Sequence, residues 1–293
     1  MVFPRFSSSL LKALGLRAAA GLFCLSMALP AAASGISPDI HAEVAYVIDL
    51  NDSRVLFEKN SQDIRPIASI SKLMTALVVA EARQDMDEML AISEADIDRL
   101  KNSGSRLPVG TRLSRADMLH LALMSSENRA ANALGRHYPG GLPAFVRAMN
   151  DKARSLGMRH TRFAEPTGLS SDNVSSPRDL VKLLVAVNQH PAIRQYTTNE
   201  QYSVALNRGR QLLYRNTNRL VTRDDWAIKI SKTGFINEAG RCLVMLTEID
   251  DKDVAIVLLN ASGRYSRIGD AIRLRTLVEA TADDPVGQQL AML

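Results

Sequence analysis

Short stretches rich in apolar residues read as two strands near the start of the chain, at residues 41–50 and 54–59. The turn-rich Asn51-Asp52-Ser53 joins them, which is a hairpin signal. The pattern then changes. Leu73, Met74, Leu77, Val78 and Ala80 recur at helical spacing, predicting a helix over residues 73–83. From about 86 to 220 the pattern is mostly helical and broken by loops. Short helices at 116–124 and 130–138 flank Ser125-Ser126-Glu127-Asn128, and longer ones cover 145–156 and 177–188. The last of these opens on Ser176-Pro177, an N-cap followed by a first-turn proline. Three strands follow, at 226–233, 241–248 and 253–260, separated by turns rich in Gly, Asn and Asp. A final helix at 266–281 carries Ile268, Ala271, Ile272, Leu274, Leu277 and Val278 mainly on one side. A hairpin, a helical middle and a three-strand meander predict an α/β (α+β) fold. One antiparallel sheet is built from both chain ends and flanked by helices, with an all-helical lobe at about 86–220 inserted beside it.

The first 33 residues have a different pattern. Arg5, Lys12 and Arg17 form a basic region without acids, residues 18–29 are apolar, and Ala31-Ala32-Ala33 offers a small-residue cleavage site. This reads as a secretory signal peptide. The apolar run of about a dozen residues is shorter than the roughly 20 of a spanning helix. Phe23 before Cys24 is too large for a typical lipoprotein processing site, so no lipid anchor is expected. Cleavage before Ser34 leaves 33 basic and 31 acidic residues, so the net charge falls from +5 to +2 and gives no case for nucleic-acid binding. Cys242 is then the single cysteine, excluding an intramolecular disulfide and reading as a small apolar strand residue. The remaining length of about 260 residues suits one large domain, or one with an inserted lobe.

Three short motifs carry the chemistry. Ser69-Ile70-Ser71-Lys72 places a lysine one helical turn after a serine, the minimal arrangement for nucleophilic catalysis without histidine. Ser126-Glu127-Asn128 and Lys232-Thr233-Gly234 follow in order. Ser69 is expected to open the helix, where unpaired N–H groups and the helix dipole favour a developing oxyanion. Lys72 is the candidate general base. Acting near neutral pH requires its ammonium form to be destabilised by roughly 4 kcal/mol, through burial and a nearby cation, with Lys232 as the expected cation. Ser126 is expected to pass a proton between the Lys72 region and the leaving amine. Asn128 offers a donor and an acceptor for a substrate peptide. Lys232 and Thr233, on an edge strand, would hold a carboxylate beside the scissile bond, and Gly234 would admit a substrate backbone.

Each motif alone has an ordinary explanation. Ser69 could be only an N-cap, Ser126 and Asn128 turn residues, and Lys232-Thr233-Gly234 a strand end. S-x-x-K also occurs at Ser9-Leu10-Leu11-Lys12, inside the expected leader. The ordered trio is what separates the two copies. A second triplet, Ser171-Asp172-Asn173, follows Gly168-Leu169 and reads as a hydrogen-bonding loop.

With these residues in place, the chain resembles the penicillin-binding proteins of the serine D-Ala-D-Ala peptidase family over nearly all of residues 40–285. The closest features are residues 68–75, 124–131, Glu165-Pro166-Thr167-Gly168-Leu169 and Lys232-Thr233-Gly234-Phe235. They look most like the D-alanyl-D-alanine endopeptidase branch, as does the chain's end soon after its last helix. Ser71 stands where threonine is common, and Glu127 where aspartate or alanine is common. The resemblance implies the β-lactamase/penicillin-binding-protein transpeptidase-like fold. It divides the chain into a signal peptide (1–33), a single catalytic domain (34–285) and a tail (286–293). It implies hydrolysis of peptidoglycan stem peptides through an acyl-enzyme on Ser69, with Phe235 N–H as a second oxyanion donor and no cofactor or metal. β-Lactams would be covalent inhibitors and the periplasm the location. Peripheral membrane association and other murein hydrolases as partners are compatible with it. The alternatives are a D-Ala-D-Ala carboxypeptidase, a class A β-lactamase using Glu165, and a non-catalytic β-lactam sensor. Leu169 stands where a β-lactamase would place the asparagine that partners its deacylation glutamate.

Overall fold

A computed structural model of the chain describes residues 38–206, 209–263 and 265–282. The expected leader at 1–33 and tail at 286–293 lie outside the described residues. The first half comprises β1 (Ala42–Asp49), β2 (Val55–Lys59), β3 (Arg65–Pro66), α1 (Lys72–Glu81), β4 (Met89–Ala91), β5 (Arg112–Ser114), α2 (Arg115–Met124), α3 (Asn128–Arg136) and α4 (Gly141–Ser155). The second half comprises β6 (Val174–Ser175), α5 (Pro177–Asn188), α6 (Pro191–Thr198), β7 (Gln201–Ala205), β8 (Gln211–Arg215), β9 (Ala227–Ile236), β10 (Gly240–Ile249), β11 (Lys252–Ala261) and α7 (Ser266–Ala282).

The main sheet has the order β2-β1-β11-β10-β9, antiparallel throughout, so the two chain ends share one sheet as the pattern predicts. Its central strands are apolar at nearly every position because both faces are covered. In β10, Val244 and Leu246 face the core shared with α1, α2 and α5, whereas Leu243 and Met245 face the core shared with α7. Helix α7 buries Ala271, Leu274 and Val278, but Ile272 is exposed. The buried Asp270 carboxylate accepts from Ala42 N (2.8 Å) and His41 N (3.1 Å), fastening the last helix to the first strand. Helix α5 packs on the other face and is capped by Ser176, whose Oγ accepts from Asp179 N.

The region between the sheet halves is less uniformly helical than expected. It also holds three two-stranded sheets, β3–β6, β4–β5 and β7–β8. The first two contain strands of only two or three residues, too short for a periodic signal. Strand β9 is the outer strand of the main sheet, and α6 and the Ala68–Ser71 turn pack against it. The site forms along this seam.

Candidate active site

Ser69 lies in a 3₁₀ turn, Ala68–Ser71, and α1 begins at Lys72. The serine thus precedes the α-helix instead of opening it. The cause is the residue before it: Ala68 is held in the left-handed region at φ +47°. A loop from far along the chain presses there. Gly168, at φ +82°, lies so close that a Cβ on it would be 2.0 Å from Ala68 O. Neighbouring bonds fix the contact. Ser71 Oγ donates to Ala68 O (2.8 Å) and accepts from Asn173 Nδ2 (2.9 Å), while Thr75 Oγ1 donates to Pro166 O (2.7 Å). Asn173 also receives Ala164 N (2.7 Å) on Oδ1, so Ser171-Asp172-Asn173 is the loop-fastening element its context predicts.

Lys72 is fully buried behind this turn. Its Nζ donates to Ser69 Oγ (3.0 Å), Asn128 Oδ1 (2.7 Å) and Thr167 O (2.6 Å), using all three ammonium protons. Burial lowers its pKa to about 8, against the opposing influence of Glu165, Glu127 and Asp98. Burial leads at both lysines, and each cation also disfavours the charge of the other, as expected of Lys232 beside Lys72. Lys232, equally closed off, is held well below the ordinary lysine value by burial, then by Lys72 and Arg267.

Ser126 sits in the loop between α2 and α3 with φ +61°, a second left-handed residue at the site. Its Oγ accepts from Lys232 Nζ (2.9 Å), which also donates to Thr233 O (2.9 Å). Ser126 is therefore bonded to Lys232, a partner the expected path between the Lys72 region and the leaving amine did not name. Asn128 is already engaged at both ends: Oδ1 by Lys72, and Nδ2 donating to Ser103 Oγ (2.9 Å). Thr233 Oγ1 donates to Thr217 Oγ1 (2.7 Å). Gly234 permits a close approach, but of the turn that carries Ser69. A Cβ there would be 3.0 Å from Ile67 O and 3.2 Å from Ser69 N.

These residues converge on a cleft of about 470 Å³. Ser69, Ser126, Asn128, Thr233, Gly234 and Phe235 line it, and the two lysines stand behind their hydroxyl partners. The sequence reading missed Ser103, Thr217 and Arg267, which also line it, and Thr167, whose carbonyl orients Lys72. Arg267 donates through Nη1 to Gly234 O (2.9 Å), while its buried Nε has no partner. No local signal could have found it, because it reaches the cleft from the start of α7. Glu165 is within the same loop as Gly168, and its carboxylate accepts from Thr167 N, Thr167 Oγ1, Gly168 N and Ser170 N. Cys242 is buried in β10 with its pKa pushed up to about 11 by burial, the inert strand residue expected.

A half-buried serine bonded to a buried lysine of lowered pKa, against the edge of an antiparallel sheet, is the equipment of a serine acyl-transfer enzyme. Residues 31–263 match the family model described as D-alanyl-D-alanine carboxypeptidase, and the chain belongs to that family of serine D-Ala-D-Ala peptidases, S11. It is 50% identical over 285 residues to the D-alanyl-D-alanine endopeptidase of Escherichia coli K12, covering 97% of this chain and 92% of that protein. It is 47% identical over 251 residues to the Pseudomonas aeruginosa D-alanyl-D-alanine endopeptidase, covering 85% and 81%. The fold is that of the Streptomyces K15 DD-transpeptidase crystal structure, with a TM-score of 0.76, 26% identity, and coverage of 82% of this chain and 98% of that one. Penicillin-binding protein D2 of Listeria monocytogenes, in its cefotaxime-bound form, gives 0.71 at 30% identity with the same coverage. The sheet and lobe inferred from the residue pattern are thus a penicillin-binding-protein fold.

Proposed function

We propose that this enzyme is a penicillin-sensitive DD-endopeptidase, hydrolysing D-alanyl-diaminopimelate cross-links in peptidoglycan through an acyl-enzyme on Ser69. The observation that carries the chemistry is the 3.0 Å bond between Lys72 Nζ and Ser69 Oγ, made by a buried lysine whose pKa lies at about 8. Neutral Lys72 takes the Ser69 proton as Oγ attacks the D-alanyl carbonyl. The backbone N–H groups of Ser69 and Phe235 receive the oxyanion. Ser126 hands a proton, resupplied by the adjacent lysine Lys232, to the leaving amine. Water then attacks the ester: as the acyl C–O bond breaks, Lys72 returns its proton to Ser69 Oγ, and the proton given up by the water restores Lys232 through Ser126. Asn128 holds Lys72 in place and presents its amide to the acyl chain. Lys232, Thr233 and Arg267 form the cationic and hydroxyl side that receives the carboxylate next to the scissile bond.

Choice of leaving group rests on the relatives' names: two of them, at 50% and 47% identity, are D-alanyl-D-alanine endopeptidases. The carboxypeptidase reading is the second candidate, since a carboxylate adjoins the scissile bond in both substrates. Glu165 favours neither reading's β-lactamase rival, because its carboxylate is bound up by its own loop. The substrate and the expected leader put the working enzyme in the periplasm, with β-lactams as covalent inhibitors.

The test is mass spectrometry of products when purified cross-linked dimers and monomeric pentapeptides compete for the enzyme. Faster dimer cleavage is expected, and exclusive loss of terminal D-alanine would replace the endopeptidase by the carboxypeptidase. Ser69→Ala should abolish fluorescent-penicillin labelling with the fold intact, and retained labelling would remove Ser69 as nucleophile.

A further inference from the structure

The cleft does not end at Thr233. Past Thr217 and Arg267, which line both spaces, it opens into a second hollow of about 160 Å³, walled by Arg219, Arg241, Tyr265 and Ile268. Three guanidinium groups thus border one small space. Among the described residues, no carboxylate pairs with Arg219, Arg241 or Arg267, although the same surface pairs Arg223 with Asp225 and Arg273 with Asp270. Two are held by rings instead: Arg241 lies over Phe235 (4.7 Å to the centroid) and Arg219 over Tyr265 (5.7 Å). A ring fixes a guanidinium without neutralising it, leaving its N–H fork free for an anion. Arg267 lines both spaces, its buried Nε has no partner among the described residues, and burial, then the charge of Arg241, lowers its pKa.

The geometry points to a second anion subsite at Arg219 and Arg241, taking a further carboxylate of the stem peptide that leaves when a cross-link is cut. This rests on the DD-endopeptidase reading above. Its chemistry follows from the two leaving groups. Terminal D-alanine carries one carboxylate and a methyl group. The diaminopimelate amine released from a cross-link carries the equivalent carboxylate, then three methylenes, then a second α-centre bonded to the rest of its stem. That stem bears further carboxylates, on its γ-linked glutamate and at its C-terminus. The carboxylate nearest the scissile bond goes to the Lys232, Thr233 and Arg267 side. Thr217 and Arg267 line both that side and the hollow, so a leaving group longer than D-alanine seated there can extend into it. A paired guanidinium gives a carboxylate two parallel, charge-assisted bonds, and only the cross-link supplies that carboxylate. The hollow is therefore a specificity element for leaving-group size and charge.

The test uses the full-length enzyme, with Arg219→Gln, Arg241→Gln and the double variant, and three readouts: dimer cleavage, pentapeptide cleavage and penicillin acylation. In the double variant, kcat/KM for the dimer is expected to fall about tenfold, chiefly through KM, as for loss of one charge-assisted pair. Pentapeptide cleavage and acylation, which also report folding, should change by less than about twofold. Dimers with amidated acceptor carboxylates should be poorer substrates of the parent, with the double variant nearly indifferent to amidation. Equal losses on dimer and pentapeptide, or an unchanged dimer-to-pentapeptide ratio, would overturn the subsite while leaving the endopeptidase reading standing. A parent enzyme that cleaves pentapeptide but no dimer would overturn both.

Discussion

Lys72 and Lys232 are both shut away from water, yet the two sides of the cleft treat them differently. On the lobe side, Lys72 gives its protons to Ser69, Asn128 and Thr167, and Glu165, Glu127 and Asp98 oppose the effect of burial. On the sheet side, Lys232 meets Ser126 and the carbonyl of Thr233, and the surrounding charges are cations that add to the effect of burial. Burial alone would push both down together. Neighbouring charges differ: carboxylates oppose burial at Lys72, whereas cations add to it at Lys232. Two amines in unlike surroundings, each bonded to a different serine, can take different parts, Lys72 at Ser69 and Lys232 at Ser126. A single catalytic lysine would have to do both.

Removing the lobe-side amine should break this division most completely. Lys72→Met is expected to slow penicillin acylation by about 10³-fold, measured by stopped-flow with a fluorescent penicillin. A loss comparable to that of Lys232→Gln would mean that the two amines are not distinct. Gly168→Ala attacks the same side through its scaffold. A Cβ 2.0 Å from Ala68 O at φ +82° should cost roughly 3 kcal/mol in urea unfolding and displace Ser69 as well. On the sheet side, Lys232→Gln should reduce turnover of carboxylate-bearing substrates by about 10²-fold, with a smaller effect on a substrate whose carboxylate is esterified.

The mildest test is a pH profile. Acylation should rise with pH through about 8 as Lys72 loses its proton. Glu165→Gln removes a charge that raises the Lys72 pKa, so the midpoint should move to lower pH, by less than about one pH unit. The same lysine affects stability with a defined sign. Unfolded, it keeps its proton up to the ordinary 10.5; folded, only up to about 8. Its contribution therefore opposes folding below pH 8 and is relieved as pH rises from 8 towards 10.5, visible as an alkaline gain in unfolding free energy.

The main sheet was legible because β1, β10 and β11 combine apolar runs with Gly, Asn and Asp turns, and α5 because Ser176-Pro177 states its start. The β7–β8 hairpin was not read, although Val204, Leu212 and Tyr214 are buried at alternate positions, because polar residues outnumber them in a stretch expected to be helical. In the site, the three motifs named the right atoms but not their wiring. Lys72 to Asn128 spans 56 residues and Lys232 to Ser126 spans 106, and packing of lobe on sheet decides such partners. The left-handed turns at Ala68 and Ser126 were hidden for a related reason. Neither residue type favours that backbone, so the surrounding contacts impose it.

Strand β9 has a hydrogen-bonded neighbour on one side only, and ten residues of open strand edge would ordinarily invite another chain to pair there and aggregate. The lobe covers that edge: positions 230–234 are buried beneath the turn carrying Ser69 and the segments around α6 and Asn218. What stays accessible is the part facing the cleft. A chain seeking this edge must enter extended and narrow, past the nucleophile. Flexible wall peptides meet that condition, and the folded surfaces of neighbouring proteins do not. The covering of positions 230–234 thus leaves the cleft as the approach to this edge.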